Sequence, residues 1–247
     1  MSKILIIEDE PAIRRVLIKI LSEEDDVLIT HVMERDGAVV DENGINIETL
    51  RSHISSTGGV LGYSGYVESG LEMLESDADI IIPAAMELVI TEANAKNIKA
   101  PLIIEAANGP VSAKADTILR DRGVIIIPDL YANAGGVTVS YFEWIKNLSR
   151  IRFGRMQRRA DESRYGALIE GIEGMTGQSF PVELASRAID GGAEIDLVRS
   201  GLEDTMRSTY NVISEVWNKE KSAIDLRTAA MMVAVQRIAQ GYQSIGI

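Results

Sequence analysis

The chain has 247 residues, 46% of them hydrophobic, with a formal net charge of −12, no cysteine, and two histidines, His31 and His53. That length and apolar content support one large core or two small ones. Without cysteine there is no disulfide framework, thiolate metal site or cysteine nucleophile, and two histidines are too few for a histidine-rich metal site. The acidic field opposes polyphosphate, so nucleic acid is not an expected partner.

No apolar run reaches the length of a membrane span, so no membrane partner is expected. The start, Met-Ser-Lys-Ile-Leu-Ile-Ile-Glu-Asp-Glu, meets acidic residues too early for a secretory signal. A cytoplasmic location is the expectation.

Taken in chain order, Ile4–Ile7, Val27–Val32, Ile80–Ile82, Leu102–Ile104 and Val124–Ile127 are short Ile/Val/Leu runs without polar alternation. Strands buried on both faces of a parallel sheet read this way. Helical patterns fall between them, near 11–24, 46–54, 69–75, 91–97 and 112–122. Strand–helix alternation predicts an α/β fold with a doubly wound, Rossmann-like, mostly parallel sheet.

After Gly136 the strand signal stops. Val137–Leu148 opens a long helix, and two more are expected near Leu197–Lys219 and Ile224–Ser244. The sequence thus divides into an α/β domain, 1–135, and a helical segment, 136–247, with an insertion of variable character at about 151–192. Arg150, Arg152, Arg155, Arg158, Arg159 and Arg164 cluster at the head of that insertion. A solvated helix face, or ion pairing across an interface, accounts for them.

The run Asn133-Ala-Gly-Gly-Val-Thr-Val-Ser-Tyr-Phe-Glu-Trp144 resembles the nicotinamide-side motif of glutamate dehydrogenases. Further blocks follow the order of the same family. They are Glu34–Gly44, Ile82-Pro83-Ala84-Ala85, Glu105–Pro110, Pro128–Tyr131, Asp196–Leu202 and Asp225–Ala230. In Glu105–Pro110, Ala106 stands where the family has glycine. Together the blocks cover about residues 30–247.

The resemblance implies an NAD-binding domain of an oxidoreductase that converts L-glutamate to 2-oxoglutarate and ammonium. Glu34 would accept from the adenosine ribose hydroxyls, as an acid after the second strand does, and would repel a 2′-phosphate. Ala84 and Ala85 would lie beside the adenosine half of the cofactor. Asn108 and Asn133 would offer donor and acceptor to the nicotinamide amide or the substrate. Ser140 would bind a substrate carboxylate. No residue of the chain is assigned a catalytic role, because the family carries its catalytic lysine and aspartate on a separate substrate domain.

Each of these residues also has a plain structural reading. Asn-Gly is commonly a turn, Gly135-Gly136 can simply part a strand from a helix, and Glu34 can be a solvated strand-end carboxylate. Shared order and spacing, rather than any one residue, favour the site reading.

The first turn departs from that pattern. A dinucleotide pyrophosphate needs glycines at a helix N-terminus, where bare backbone N–H groups can approach it. Glu8-Asp9-Glu10-Pro11 stands there instead, and no G-x-G-x-x-G occurs in the chain. Residues 2–26 resemble the first βα unit of a response-regulator receiver domain. The receiver's phosphoacceptor position falls on Pro83 or Ala84, so phosphorelay chemistry is not expected. The expectation is a chimera in which NAD binding is weak or lost, inactive by itself and able to self-associate. The alternative is a recombined α/β scaffold with no ligand.

Overall fold

The computed structural model describes residues 2–7, 26–68, 70–149, 155–181, 184 and 194–246. The expected helix at 11–24, the acidic turn Glu8–Pro11, Arg150, Arg152 and most of 182–193 lie outside the described residues.

Seven strands form one sheet: β1 Ser2–Ile7, β2 Val27–Glu34, β3 Gly37–Val40, β4 Tyr66–Val67, β5 Ile80–Pro83, β6 Leu102–Ile104 and β7 Ile125–Ile127. Their order is β4-β3-β2-β1-β5-β6-β7. The five strands from β2 to β7 in that order run parallel, and β3 and β4 close the other edge antiparallel. The α/β class and mostly parallel sheet read from the sequence are the ones observed.

Alternation along β1 explains why the runs lack polar residues. Ile4 and Ile6 enter one core with Ile29, Val32, Leu50 and Ile82, whereas Leu5 and Ile7 enter another with Ile81, Ile98, Ile103 and Leu119. Successive side chains point to opposite faces, and both faces of the central strands are covered. β7 departs from the expectation of two-sided burial. Among the described residues it pairs only with β6, and Ile125 is 43% exposed.

Helices α1 Ile47–Thr57 and α2 Ala113–Asp121 start where a side chain takes an orphan N–H. Asn46 accepts from Thr49 N at 3.0 Å and Ser112 from Ala115 N at 3.2 Å. The stretch at 69–75 is a 3-10 turn, Leu71–Glu75, rather than an α-helix. The helix expected at 91–97 is a run of turns. There Asn94 accepts from Thr91 N (2.8 Å) and donates to Val89 O (2.9 Å), offering the backbone partners that compete with helix formation. The hairpin expected after β2 is present. Its Gly37 has φ +141°, and a Cβ there would stand 2.7 Å from Val67 O.

Beyond the sheet lie α3 Asp129–Ala132, α4 Ala134–Ser149, α5 Arg155–Thr176, α6 Glu194–Lys219 and α7 Leu226–Ser244. The chain divides into two compact units, Met1–Ala134 with Asn211–Ile247, and Gly135–Tyr210. The sequence reading set 136–247 apart as one helical segment. The end of that segment instead belongs with the sheet, because Leu226, Ala229, Ala230 and Val233 of α7 pack with Ile127 and Tyr131. Among the described residues no helix is long and apolar enough to cross a membrane.

Between Ile4 and Leu5 the β1–β2 register skips one residue of β2, Thr30. The Thr30 hydroxyl lies 2.8 Å from His31 Nδ1. His31 is 2% exposed, and burial lowers its pKa from the ordinary 6.5, against Glu42, which raises it, and with Lys3, which lowers it. The neutral ring is therefore the folded form. Its contribution is complete above the unfolded pKa and is lost as pH falls through the folded one. Urea unfolding from pH 7 to pH 5 is expected to show stability falling by at most about 1.4 kcal/mol per pH unit from this group. His31→Leu is expected to flatten that slope, and an unchanged slope in the variant would contradict the assignment.

Candidate functional site

Parallel pairing brings five strand ends to one edge. Ile7 of β1 lies beside Met33 and Pro83, and Ile104 beside Ile127. Ligands of open α/β sheets bind outside such carboxyl ends. Glu34 closes β2 at this edge, half-buried and paired with Gly37 in the hairpin. Ala84 follows β5 and donates its N–H to Ile7 O at 2.8 Å, with Ala85 beside it, both half-buried. Asn108 and Asn133 follow β6 and β7. Ser140 lies in the other compact unit, exposed on α4, so the edge gathers five of the six residues singled out from the sequence.

Two of the five touch. Asn133 Nδ2 donates to Asn108 Oδ1 at 2.6 Å. The two loops that carry them are tied together by Asp129. Its Oδ2 accepts from Gly109 N at 2.9 Å and its Oδ1 from Leu130 N at 2.8 Å. Asp129 also opens the short helix α3, whose last turn brings Asn133 N to Asp129 O at 3.0 Å.

Beneath this pair lies a charge cluster that the sequence reading quoted but gave no role. Glu105 is 0% exposed, and its Oε2 accepts from Asp129 N at 2.7 Å. Arg227, from the first turn of α7, reaches three carboxylates. It donates to both Glu105 oxygens at 2.8 Å, to Asp129 Oδ1 at 3.0 Å and to Asp116 Oδ2 at 3.0 Å. Arg120 pairs with Asp225 at 3.1 Å, while Asp225 caps α7 through Thr228 N at 2.7 Å. Four carboxylates share two guanidiniums, and backbone N–H groups supply the remaining compensation.

Burial pushes the Glu105 carboxyl up, against the Asp129 N–H and Arg227, which lower it. For Asp129 the balance is reversed. Burial acts to raise its pKa, but the Gly109 and Leu130 amides and Arg227 together hold it below the ordinary value. Arg227 is raised: burial opposes its charge, and Glu105 and Asp116 outweigh burial.

The sequence did carry a signal for the cluster. Glu105 directly follows an apolar strand, and Arg227 stands among Leu226, Ala229 and Ala230. A lone charge in an apolar run is costly to bury unless paired. Its partner, 122 residues away in sequence, is visible only in the fold.

This edge can orient an amide-bearing ring. Linked carboxamides can present both donor and acceptor, and an acid at the end of the second strand of such a sheet can accept from vicinal hydroxyls. The residues present suit the nicotinamide and ribose parts of a dinucleotide.

Comparison with known proteins agrees with the fold and the motifs. The chain is 48% identical over 223 residues to a probable glutamate dehydrogenase of Sinorhizobium fredii, covering 90% of this chain and 50% of that protein. Two proteins of Halobacterium salinarum match at similar distances. The NADP-specific glutamate dehydrogenase A1 is 32% identical over 88% of this chain and 43% of its own. The NAD-specific glutamate dehydrogenase A is 33% identical over 89% and 41%. A solved hetero-hexameric glutamate dehydrogenase of Thermus thermophilus shares the fold, with a TM-score of 0.71 at 17% identity, over 100% of this chain and 48% of that one. The chain therefore spans half or less of the length of the relatives it matches. Residues 14–166, more than half of the chain, match the family described as Glutamate/Leucine/Phenylalanine/Valine dehydrogenase, and with the carboxyl-edge geometry this places the chain in that family.

Proposed function

We propose that the chain is the nicotinamide-cofactor half of an NAD-linked glutamate dehydrogenase, acting in the cytoplasm as part of a multi-subunit enzyme that oxidises L-glutamate to 2-oxoglutarate and ammonium. The observation that carries this reading is the Asn108–Asn133 carboxamide contact, 2.6 Å, at the carboxyl edge of the parallel sheet. When bound, the nicotinamide supplies a hydride acceptor. Asn108 and Asn133 orient its amide, Glu34 holds the adenosine ribose, Ala84 and Ala85 leave room beside the adenine side, and Ser140 meets a substrate carboxylate.

Overall identity does not select the coenzyme, since the two Halobacterium relatives named for opposite coenzymes differ by a single percentage point. A local charge does. The Glu34 carboxylate accepts from ribose hydroxyls and repels a 2′-phosphate, which favours NAD.

The acidic first turn favours weak binding, and it supports a second reading, a receiver-like βα unit grafted into the dehydrogenase fold to give a scaffold without ligand. The family match begins at residue 14, inside the receiver-like stretch 2–26. Fluorescence titration with NADH separates the two readings. The cofactor reading expects saturable binding with Kd on the order of 1 mM, weakened about tenfold in Asn133→Ala by the loss of one hydrogen-bonding group. Absence of any saturable signal would favour the scaffold. With NAD⁺ and L-glutamate the 247-residue polypeptide is expected to give no turnover above background, because no general base is assigned in it. Turnover that scales with protein and disappears in Asn133→Ala would refute this.

A further inference from the structure

We infer that Asp129 is a positioning residue, whose carboxylate fixes the spacing of the Asn108 and Asn133 carboxamides; its bearing on cofactor binding rests on the reading proposed above. Four contacts carry the inference. Asp129 Oδ2 holds Gly109 N, the peptide that directly follows Asn108. The Asp129 carbonyl accepts from the Asn133 backbone N–H, so the residue also holds the main chain from which the second carboxamide projects. Its own N–H donates to buried Glu105, and its other carboxylate oxygen takes Arg227. The side chain is thus clamped from the core while its free edge faces the loop that it holds. Gly109 has φ +54°, a left-handed turn conformation, and an exposed Asn-Gly turn of this kind moves freely unless its amide is tied down.

The charged groups around Asp129 all belong to the same cluster, Glu105 and Arg227 in direct contact and Asp116 through Arg227. Replacing Asp129 by Asn leaves an acceptor for Leu130 N and Arg227 but turns an amide group, which cannot accept, toward Gly109 N. The fold is expected to tolerate this change while the loop loses its tie.

The test uses ¹⁵N-labelled full chain without ligand. In the unmodified protein the exposed Gly109 amide is expected to exchange with solvent about tenfold or more slower than an unstructured glycine, as a hydrogen bond to a charged acceptor requires. The side-chain amide signals of Asn108 and Asn133 are expected at distinct, dispersed positions. In Asp129→Asn the Gly109 protection is expected to vanish and both carboxamide signals to move toward free-asparagine values, with the other backbone signals retained. Unchanged carboxamide signals in folded Asp129→Asn, or an unprotected Gly109 in the unmodified chain, would overturn the inference. The second measurement needs no variant, so it decides even if Asp129→Asn does not fold. NADH titration of the same samples is expected to show about tenfold weaker binding in the variant. If the unmodified chain binds no NADH while the carboxamide signals still depend on Asp129, the cofactor reading fails and the positioning role stands.

Discussion

Arg227→Ala is expected to cost the fold about 3–5 kcal/mol, the range for removing one partner of a buried ion pair. The reason is the asymmetry of the cluster. Glu105 is 0% exposed, whereas the Arg227 side chain is 30% exposed, so truncation removes the more accessible charge and leaves the buried carboxylate without its counter-ion. Burial already pushes the Glu105 carboxyl up, and Arg227 opposes that push, so its loss is expected to move the carboxyl further up. Asp116 and Asp129 lose a guanidinium partner in the same step. Urea unfolding of Arg227→Ala and of the double variant Glu105→Leu with Arg227→Met checks this account. The double variant is expected to recover part of the loss, since it removes the uncompensated buried charge but leaves Asp116 and Asp129 without Arg227. A single variant within 1 kcal/mol of the parent would show that water or another group already compensates Glu105.

Replacing residues 8–13 by a Gly-x-Gly-x-x-Gly turn is expected to tighten NADH binding by about a thousandfold or more. A carboxylate of Glu8, Asp9 or Glu10 beside a pyrophosphate would cost it on the order of 1 kcal/mol. Each backbone donor that glycine would expose contributes a comparable amount, and 1.4 kcal/mol is a factor of ten. Adding Glu34→Ala to the glycine variant is expected to remove part of the gain, because the proposed ribose contact would be separate from the phosphate contact. Calorimetric titration of the three proteins measures both effects. Low-micromolar binding by the unmodified chain would show that the acidic turn does not oppose the cofactor.

The sequence by itself determined the five parallel strands of the sheet. Ile/Val/Leu runs such as Ile4–Ile7 and Ile80–Ile82 can be satisfied only by cover on two faces, and β1 divides its side chains between two cores accordingly. It also marked the hairpin after Glu34 and the loops of Asn108 and Asn133, because turn residues and strand ends are local properties. Where a local pattern was ambiguous, tertiary or side-chain chemistry decided. Thr91–Asn97 has helical spacing, yet the Asn94 side chain satisfies the backbone as a turn. Ile125 reads as core and lies at an edge, because periodicity records how apolar a strand is and not how many neighbours it has.

Only the tertiary structure decided what holds the candidate site. The Asn108–Asn133 contact joins residues 25 apart, and Arg227 meets Glu105 across 122. Charge compensation acts through space, so no window of sequence contains both members of such a pair. The same reasoning explains why Asn211–Ile247 belongs with the sheet and Gly135–Tyr210 forms a unit of its own. The amphipathic pattern of a helix shows that one face must be buried, and the fold alone supplies the surface that buries it.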